Sequence, residues 1–442
     1  MKIQNIVAAW IVLIVFAMIP SLGFAQISSA ADGIVPTEYA GANQDSIHIF
    51  CGTRDETSTS LTATAPNGES ATYEWLRYNA VAGTFDPFQS DQSGSTTSTI
   101  SNLANGAYRV NITSTSGVTT YTAWVFNNYI EPTAEITDSD CNSFQLNGAF
   151  ESPAFTYTDL VTLQEKVLNK QIQVRWTAGD NAVSSGLTSQ VFSPPAEDTD
   201  YTLTVSDRFG CVSSVVVRYV SIVTEALFTS APEAQPSSPT GKSEAPLAVA
   251  FTNASVNGDP GKYEWFIYKD RQQIIEESLA NPNVPVDSFL IKLYDDSPSY
   301  IFEKPGAYNV KLVSQKTSEF NICYDTVYIA NFIVVDESFI EAPNFFTPGN
   351  DTMNEQFVVR FFSMRTVKIS IFNRWGKVVH VYENNNVQGF GPTLASEPQA
   401  VWDGKVGGKL ATPGVYYWVV DGLGRDDIRR KDNGFVHLFR DK

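Results

Sequence analysis

Tyr263-Glu264-Trp265-Phe266-Ile267-Tyr268 is the stretch that decides the fold class. Its residues alternate between two faces with the period of two expected of a strand. A tryptophan in the middle of such a strand is large enough to fill the space between two sheets. The pattern recurs at Tyr73-Glu74-Trp75-Leu76-Arg77-Tyr78 and at Gln173-Val174-Arg175-Trp176, giving tryptophan spacings of 101 and 89 residues. Each tryptophan is followed, 25 to 43 residues on, by a tyrosine opening another alternating strand: Tyr108, Tyr201 and Tyr308. A repeat of that length, rich in short strands and turn residues, predicts β-sandwiches in series.

A buried tryptophan on a central strand and a tyrosine near the start of a late strand resemble the immunoglobulin-like sandwich, in which the tyrosine hydroxyl ties down a corner. The third repeat resembles a polycystic-kidney-disease (PKD) domain. Ala245-Pro246-Leu247-Ala248-Val249-Ala250-Phe251 matches that family's opening strand, Tyr263-Glu264-Trp265 its central strand, and Tyr300 through Pro305-Gly306-Ala307-Tyr308-Asn309-Val310 its late segment. An insertion near 271–297 departs from the compact pattern, with helical spacing at Ile274, Ile275 and Leu279. Residues 33–131, 132–224 and 225–336 are thus expected to form three immunoglobulin-like sandwiches, the last PKD-like. Ala231 to Pro246, rich in Pro, Ser and Ala, reads as a linker or extended edge.

The last hundred residues centre on Ile371-Phe372-Asn373-Arg374-Trp375-Gly376. Val367, Ile369 and Ile371 before it and Val378, Val379 and Val381 after it predict a hairpin with a tryptophan at its bend. The six residues resemble the IFNRWG signature of the gliding-motility-associated C-terminal domain, the type B sorting signal of the type IX secretion system. Further blocks match in order: Pro343-Asn344-Phe345-Phe346-Thr347-Pro348, Trp402-Asp403-Gly404, Gly414-Val415-Tyr416, and a closing strand carrying Gly434, Leu438 and Arg440. Residues 337–442 are therefore expected to form a seven-stranded β-sandwich. The resemblance implies recognition by the type IX translocon and its associated outer-membrane proteins. Trp375 is expected in the core, with Arg374 as the exposed contact. Asp403 is placed to bond its own backbone in a tight turn. Glu383 to Ala400 makes a longer loop than the family pattern suggests.

The opening of the chain supports the same address. Lys2, an apolar run from Ile6 to Ile19 and small residues at Gly23-Phe24-Ala25 read as a secretory signal over 1–25. No later stretch is long and apolar enough to span a membrane as a helix. The expected location is the cell surface or the extracellular space. Residues 26–336 carry 16 Lys/Arg against 36 Asp/Glu, while residues 337–442 carry 13 against 12. An acidic passenger repels nucleic acid and anionic surfaces, which argues against nucleic-acid partners. Four cysteines fit an exported protein. Cys141 and Cys211 fall within one expected sandwich and are read as a disulfide, with Cys51 and Cys323 as core cysteines or vestiges of the same bridge, not metal ligands.

Catalytic patterns are missing. His48, His380 and His437 lie in different segments, and there is no metal-spaced histidine pair, nucleophile elbow or phosphate loop. The acidic pairs Asp138/Asp140, Asp295/Asp296 and Asp426/Asp427 carry nothing that sets them across a cleft. Asn350, Asp351, Asn354 and Glu355 cluster hard oxygen donors on a turn and are calcium candidates, against the alternative that they serve the turn's own hydrogen bonds. No cofactor is expected. The sequence favours a non-catalytic adhesive, scaffolding or spacer passenger. A glycan-binding alternative needs an exposed aromatic platform, for which Tyr78, Phe85, Phe88 and Trp124 are the candidates, and an extracellular glycan or protein is the ligand class implied. A secreted hydrolase with unrecognised catalytic residues is the remaining alternative.

Overall fold

The computed structural model describes residues 27–41, 43–55, 58–232, 243–349, 353–387 and 399–440. The expected leader, most of the loop before Trp402, and Asn350 and Asp351 lie outside them. The described chain is built almost wholly of antiparallel strands and divides into two compact units. The first holds the described residues up to Ser139 with Phe144–Val191 and Thr199–Tyr219; the second holds Asp140–Ser143, Phe192–Asp198 and everything from Val220 on. Serial β-sandwiches, as expected, are the architecture.

In the first unit a six-stranded sheet runs in the order Gly33–Pro36, Ser46–Cys51, Gly117–Asn128, Gly106–Ser114, Ala71–Asn79, Thr84–Ser95. Ser46–Cys51 and Gly117–Asn128 pair in parallel; the other neighbours are antiparallel. One face of this sheet sets Tyr73, Trp75, Tyr108, Val110 and Val125 against Leu61, Ala63 and Ile100 of a three-stranded sheet. Its other face is apolar as well. Ile47, Ile49, Trp124 and Phe126 share a second core with Phe144, Phe155, Tyr157, Trp176, Leu203 and Phe209. The sheet is therefore covered on both sides, which is why residues expected to form two sandwiches close into one unit. A sheet buried on both faces must carry apolar residues at successive positions, as Trp124-Val125-Phe126 does.

The disulfides correct the expected Cys141–Cys211 pair, and one of them follows from that merger. Cys51 bonds Cys211 and Cys141 bonds Cys323, with Cα–Cα distances of 5.3 and 5.4 Å. The expectation assumed bridges inside one sandwich. Instead the turn carrying Phe209 and Cys211 lies against Asp32 and Gly33, so close that a side chain on Gly33 would meet the Phe209 carbonyl at 2.8 Å. That brings Cys211 to Cys51, whose own N–H is held by Asp32. Cys141 and Cys323 likewise meet inside the second unit, so neither Cys51 nor Cys323 is a free core thiol.

The second unit opens with a sandwich of three strands (Phe228–Pro232, Leu247–Asn253, Ser299–Phe302) and four (Phe289–Leu293, Tyr263–Tyr268, Gly306–Thr317, Ile322–Val335). Trp265, 1% exposed, fills its centre and donates its indole N–H to the Asp295 carbonyl at 3.0 Å. The part of the expected linker at Ala231 and Pro232 continues an edge strand that pairs with Leu247–Asn253. The insertion does form a helix, Arg271–Ala280, capped by the Asp270 carboxylate on the Gln272 N–H, but it buries none of its residues. Apolar residues at Ile274, Ile275 and Leu279 were too few to make a core-facing stripe.

The C-terminal sandwich sets Phe339–Glu341, Phe357–Phe362 and Gln399–Trp402 against a five-stranded sheet. That sheet runs in the order Phe345–Phe346, Arg429–Leu438, Gly414–Gly424, Met364–Phe372, Val378–Asn384. Phe345–Phe346 is a two-residue parallel edge added to the seven longer strands. Trp402, 1% exposed, is the central tryptophan here, with Tyr416 edge-on at 4.8 Å and Phe346 at 5.4 Å.

Candidate functional site

The hairpin 371–378 is exposed from Arg374 to Val378, and its turn is fixed by hydrogen bonds of its own residues. Asn373 accepts the N–H groups of Trp375 and Lys377 on its side-chain oxygen, both at 3.0 Å. Its main chain bonds Lys377 and Gly376 at 3.0 Å. Gly376 takes φ +75°, a conformation in which a side chain would be strained. Ile371 is fully buried beneath the turn and Phe372 is half-buried. With the loop closed this way, Arg374 and Trp375 project outward. Trp375 is 74% exposed, correcting its expected place in the core, and the Arg374 guanidinium lies 4.2 Å over the indole. The core position was already filled by Trp402, and a residue at the apex of a two-stranded bend cannot reach between the sheets.

The remaining signature residues hold the scaffold. Asn344 accepts the His437 N–H through its carbonyl at 2.8 Å, which docks the opening segment beside the closing strand. Phe346 is buried, Thr347 bonds Asn354 and Met353, and the Pro348 carbonyl accepts from Arg440 at 3.3 Å. Asp403 takes the Lys405 N–H at 3.0 Å, while Gly404, at φ +72°, lets Pro348, Phe346 and Leu438 close over it. Tyr416 donates to the Thr412 carbonyl at 2.8 Å, and Gly414 just before it has φ +147°. Gly434 lies under the Trp418 ring, where a Cβ would come within 2.5 Å of it. Pro343 lines a shallow surface hollow with Phe345, Asn354 and Glu355.

A groove of about 500 Å³ flanks the turn, lined by Asn373, Arg374, Trp375 and the Thr412–Tyr417 segment. It opens onto the outer face of the five-stranded sheet. Strand register places Phe435, Tyr417, Phe372 and Val378 in one rank across four strands, followed by Asn433, Val419, Ser370 and Val381. The third rank is charged: Lys431, Asp421, Lys368 and Glu383. Tyr417, Val378, Val381, Val419 and Phe435 are all 46–50% exposed. A contiguous exposed apolar rank of this kind marks a contact surface. Sequence reasoning missed Phe372, Tyr417 and Phe435 as surface residues. The signal was present in Val415-Tyr416-Tyr417-Trp418-Val419, where both faces of one strand are apolar.

The other candidates are dispersed. Glu355 accepts the Gly349 N–H and Asn354 closes a turn with Thr347, so the part of the calcium cluster that is described serves local hydrogen bonds. Among the described residues no group of three or more His, Cys, Asp or Glu is arranged to hold a metal. The acidic pairs serve local contacts: Asp140 caps the N–H groups of Asn142 and Ser143, Asp296 that of Gly261, and Asp427 pairs with Lys304. His48 is buried between Ser29 and Ser46, and burial lowers its pKa to about 4. Of the aromatic quartet, Trp124 is buried with its N–H on the Tyr39 hydroxyl, while Tyr78 and Phe85 are half-buried against the same core. Arg109 covers the Phe85 ring at 3.6 Å, and only Phe88, 42% exposed, faces solvent. The four do not form one flat platform.

Residues 340–438 match the family model of the CHU_C type IX secretion signal domain. The match implies handling by the type IX secretion system and export to the cell surface or beyond. No curated protein matches the chain. Among solved structures, a tetra-tandem repeat from the extending region of a large adhesion protein aligns at 12% identity, covering 87% of this chain and 96% of that one, with a TM-score of 0.24. Titin domains I67–I69 align at 10% identity over 69% of this chain and 98% of that one, with a TM-score of 0.26. The eight N-terminal immunoglobulin domains of Down syndrome cell adhesion molecule align at 10% identity, covering 92% and 48%, with a TM-score of 0.23. Among the described residues no helix is long and apolar enough to cross a membrane.

Proposed function

We propose that the protein is a surface or secreted cargo of the type IX secretion system. Residues 337–442 act as its type B sorting domain, and the preceding sandwiches, the third PKD-like, form a non-catalytic adhesive, scaffolding or spacer passenger. The observation that carries this reading is the match over 340–438 combined with the shape of the hairpin. Its buried residues hold the sandwich, while Arg374, Trp375 and the rank behind them are offered to a partner. The translocon and its outer-membrane proteins then read a folded surface. Absence of any catalytic pattern in the sequence supports a non-catalytic passenger, and the quartet Tyr78, Phe85, Phe88 and Trp124, which forms no flat platform, lends a stacked glycan no support.

Deleting residues 337–442 and following the chain by fractionation and surface proteolysis tests the address. Periplasmic retention or degradation is expected; unchanged surface display refutes it. The finer test is Trp375→Ala with Arg374→Ala. The pair should leave the sandwich folded, because neither side chain is in the core, yet reduce surface display. Normal display from a folded double variant would move recognition elsewhere on the domain.

A further inference from the structure

The first unit sets a buried lysine, a buried amide and a half-buried carboxylate in line. Lys170 is 9% exposed and Asn128 1%. The Lys170 amine lies 2.7 Å from the side-chain oxygen of Asn128, 2.7 Å from the Ser152 hydroxyl, and 4.0 Å over the buried Phe155 ring. The Asn128 side-chain N–H donates in turn to Asp207 at 2.5 Å. The other Asp207 oxygen is pinned by the N–H groups of Phe209 and Cys211, at 2.9 and 3.1 Å. All three groups sit where the backbone is held. Asn128 ends a central strand, the Lys170 carbonyl accepts from Arg208, and the Cys51–Cys211 disulfide closes the same turn.

We propose that Lys170 and Asn128 condense into an intramolecular isopeptide bond, with Asp207 as the catalytic residue that moves the proton. The neutral amine attacks Cγ of Asn128, the new C–N bond forms, and the old C–N bond breaks. One proton leaves the lysine nitrogen, passes through the Asp207 carboxylate and joins Nδ2, which departs as ammonia. Nothing is oxidised or reduced, and no co-reactant enters.

Geometry carries the proposal. A carbonyl carbon is about 1.2 Å from its oxygen, so Cγ is within about 4 Å of the amine, near the separation of a productive attack. Asp207 contacts the leaving nitrogen, where a proton is needed. Burial supplies the nucleophile: desolvation lowers the Lys170 pKa to about 8, against the opposing charge of Asp207, so about a tenth of the amine is unprotonated at pH 7. An alternative role, a charged lysine merely satisfying Asn128 and Ser152, predicts no covalent change.

Peptide mapping of the full secreted chain decides between them after disulfide reduction. Intact mass alone is not enough, because an N-terminal Gln26 exposed by leader removal would also lose ammonia on cyclising. In the linked chain trypsin cannot cut after Lys170. The expected product is therefore a branched species joining peptides 110–166 and 167–175, lighter than their sum by one ammonia. Separate, unmodified 110–166 and 167–170 peptides from the folded wild-type protein overturn the proposal. Asp207→Asn keeps the side chain's shape but cannot accept the proton, so the branched peptide should vanish from it. Full-yield linkage in that variant overturns the assignment of Asp207. Because the wild-type map is read without any substitution, a variant that fails to fold does not decide the outcome.

Discussion

One tyrosine geometry recurs through the chain. Tyr108, Tyr308 and Tyr416 each donate their hydroxyl to the carbonyl four residues upstream: Ala104 at 3.0 Å, Lys304 at 2.7 Å and Thr412 at 2.8 Å. Each is preceded, two residues earlier, by a glycine at φ +146° to +148°. That region of backbone space is closed to residues with a Cβ, so the Gly-x-Tyr spacing is a physical requirement of the corner. Removing the hydroxyl with Tyr416→Phe leaves the ring packed on Trp402 and should cost about 1 kcal/mol. Trp402→Ala should cost about 3–5 kcal/mol because it opens the sandwich centre. Denaturant titration of the full chain, followed through the C-terminal transition, checks both; equal losses would contradict the division between corner and core. Trp375→Ala should shift that transition hardly at all, since the ring is exposed.

At the scale of elements, the second unit joins its two sandwiches through an acid that has no room to ionise. Glu244 is 2% exposed, its Oε1 has no partner, and its pKa is raised to about 8. Desolvation is the main cause; the Asp336 charge adds to it, and the Ser363 N–H opposes it. Around it, Ser363 accepts the Ala245 N–H and donates to the Asp336 carbonyl, while Arg425 pairs with Glu303 at 2.8 Å. The folded state thus holds a proton that the unfolded chain releases above its ordinary carboxyl pKa of 4.5. Stability from this group is full below that value, falls as pH rises between it and about 8, and is then lost. The slope is at most about 1.4 kcal/mol per pH unit. Glu244→Gln should flatten the decline, seen as a smaller drop in melting temperature between pH 6 and pH 9; an unchanged drop would assign the pH dependence to another group.

The sequence made the strands and their central tryptophans legible, because alternation and a buried ring are local properties. It also made the C-terminal scaffold legible, since Phe346, Ile371, Trp402 and Tyr416 are core residues with distinctive neighbours. What escaped was relation between sandwiches. Trp124-Val125-Phe126 announces a sheet covered on both faces, but nothing in it names the covering residues Phe155 and Phe209. The cysteine pairing failed for that reason, and Trp375 was misplaced because a bend and a core strand offer a tryptophan the same sequence context.

Across the whole molecule, the two disulfides span 160 and 182 residues. In the chain-entropy picture a loop of that size stabilises the fold by about 5 kcal/mol, without additivity where loops overlap. Cys51→Ser with Cys211→Ser should therefore lower the melting temperature of the first unit while leaving the C-terminal transition near its wild-type value. A uniform fall across both transitions would show that the units unfold together.

The parallel pair of Ser46–Cys51 and Gly117–Asn128 has a mechanical consequence. Its register runs from Ser46 opposite Ala123 to Cys51 opposite Asn128, so the chain enters one strand and leaves the other at opposite ends of the ladder. With the Cys51–Cys211 disulfide intact, tension passes from Cys51 to Cys211 and bypasses Gly117–Asn128; once it is reduced, tension slides these strands past each other and loads every rung of hydrogen bonding at once. An antiparallel pair pulled from one end would instead surrender its rungs singly. The covalent link and the parallel ladder thus resist stretching one after the other.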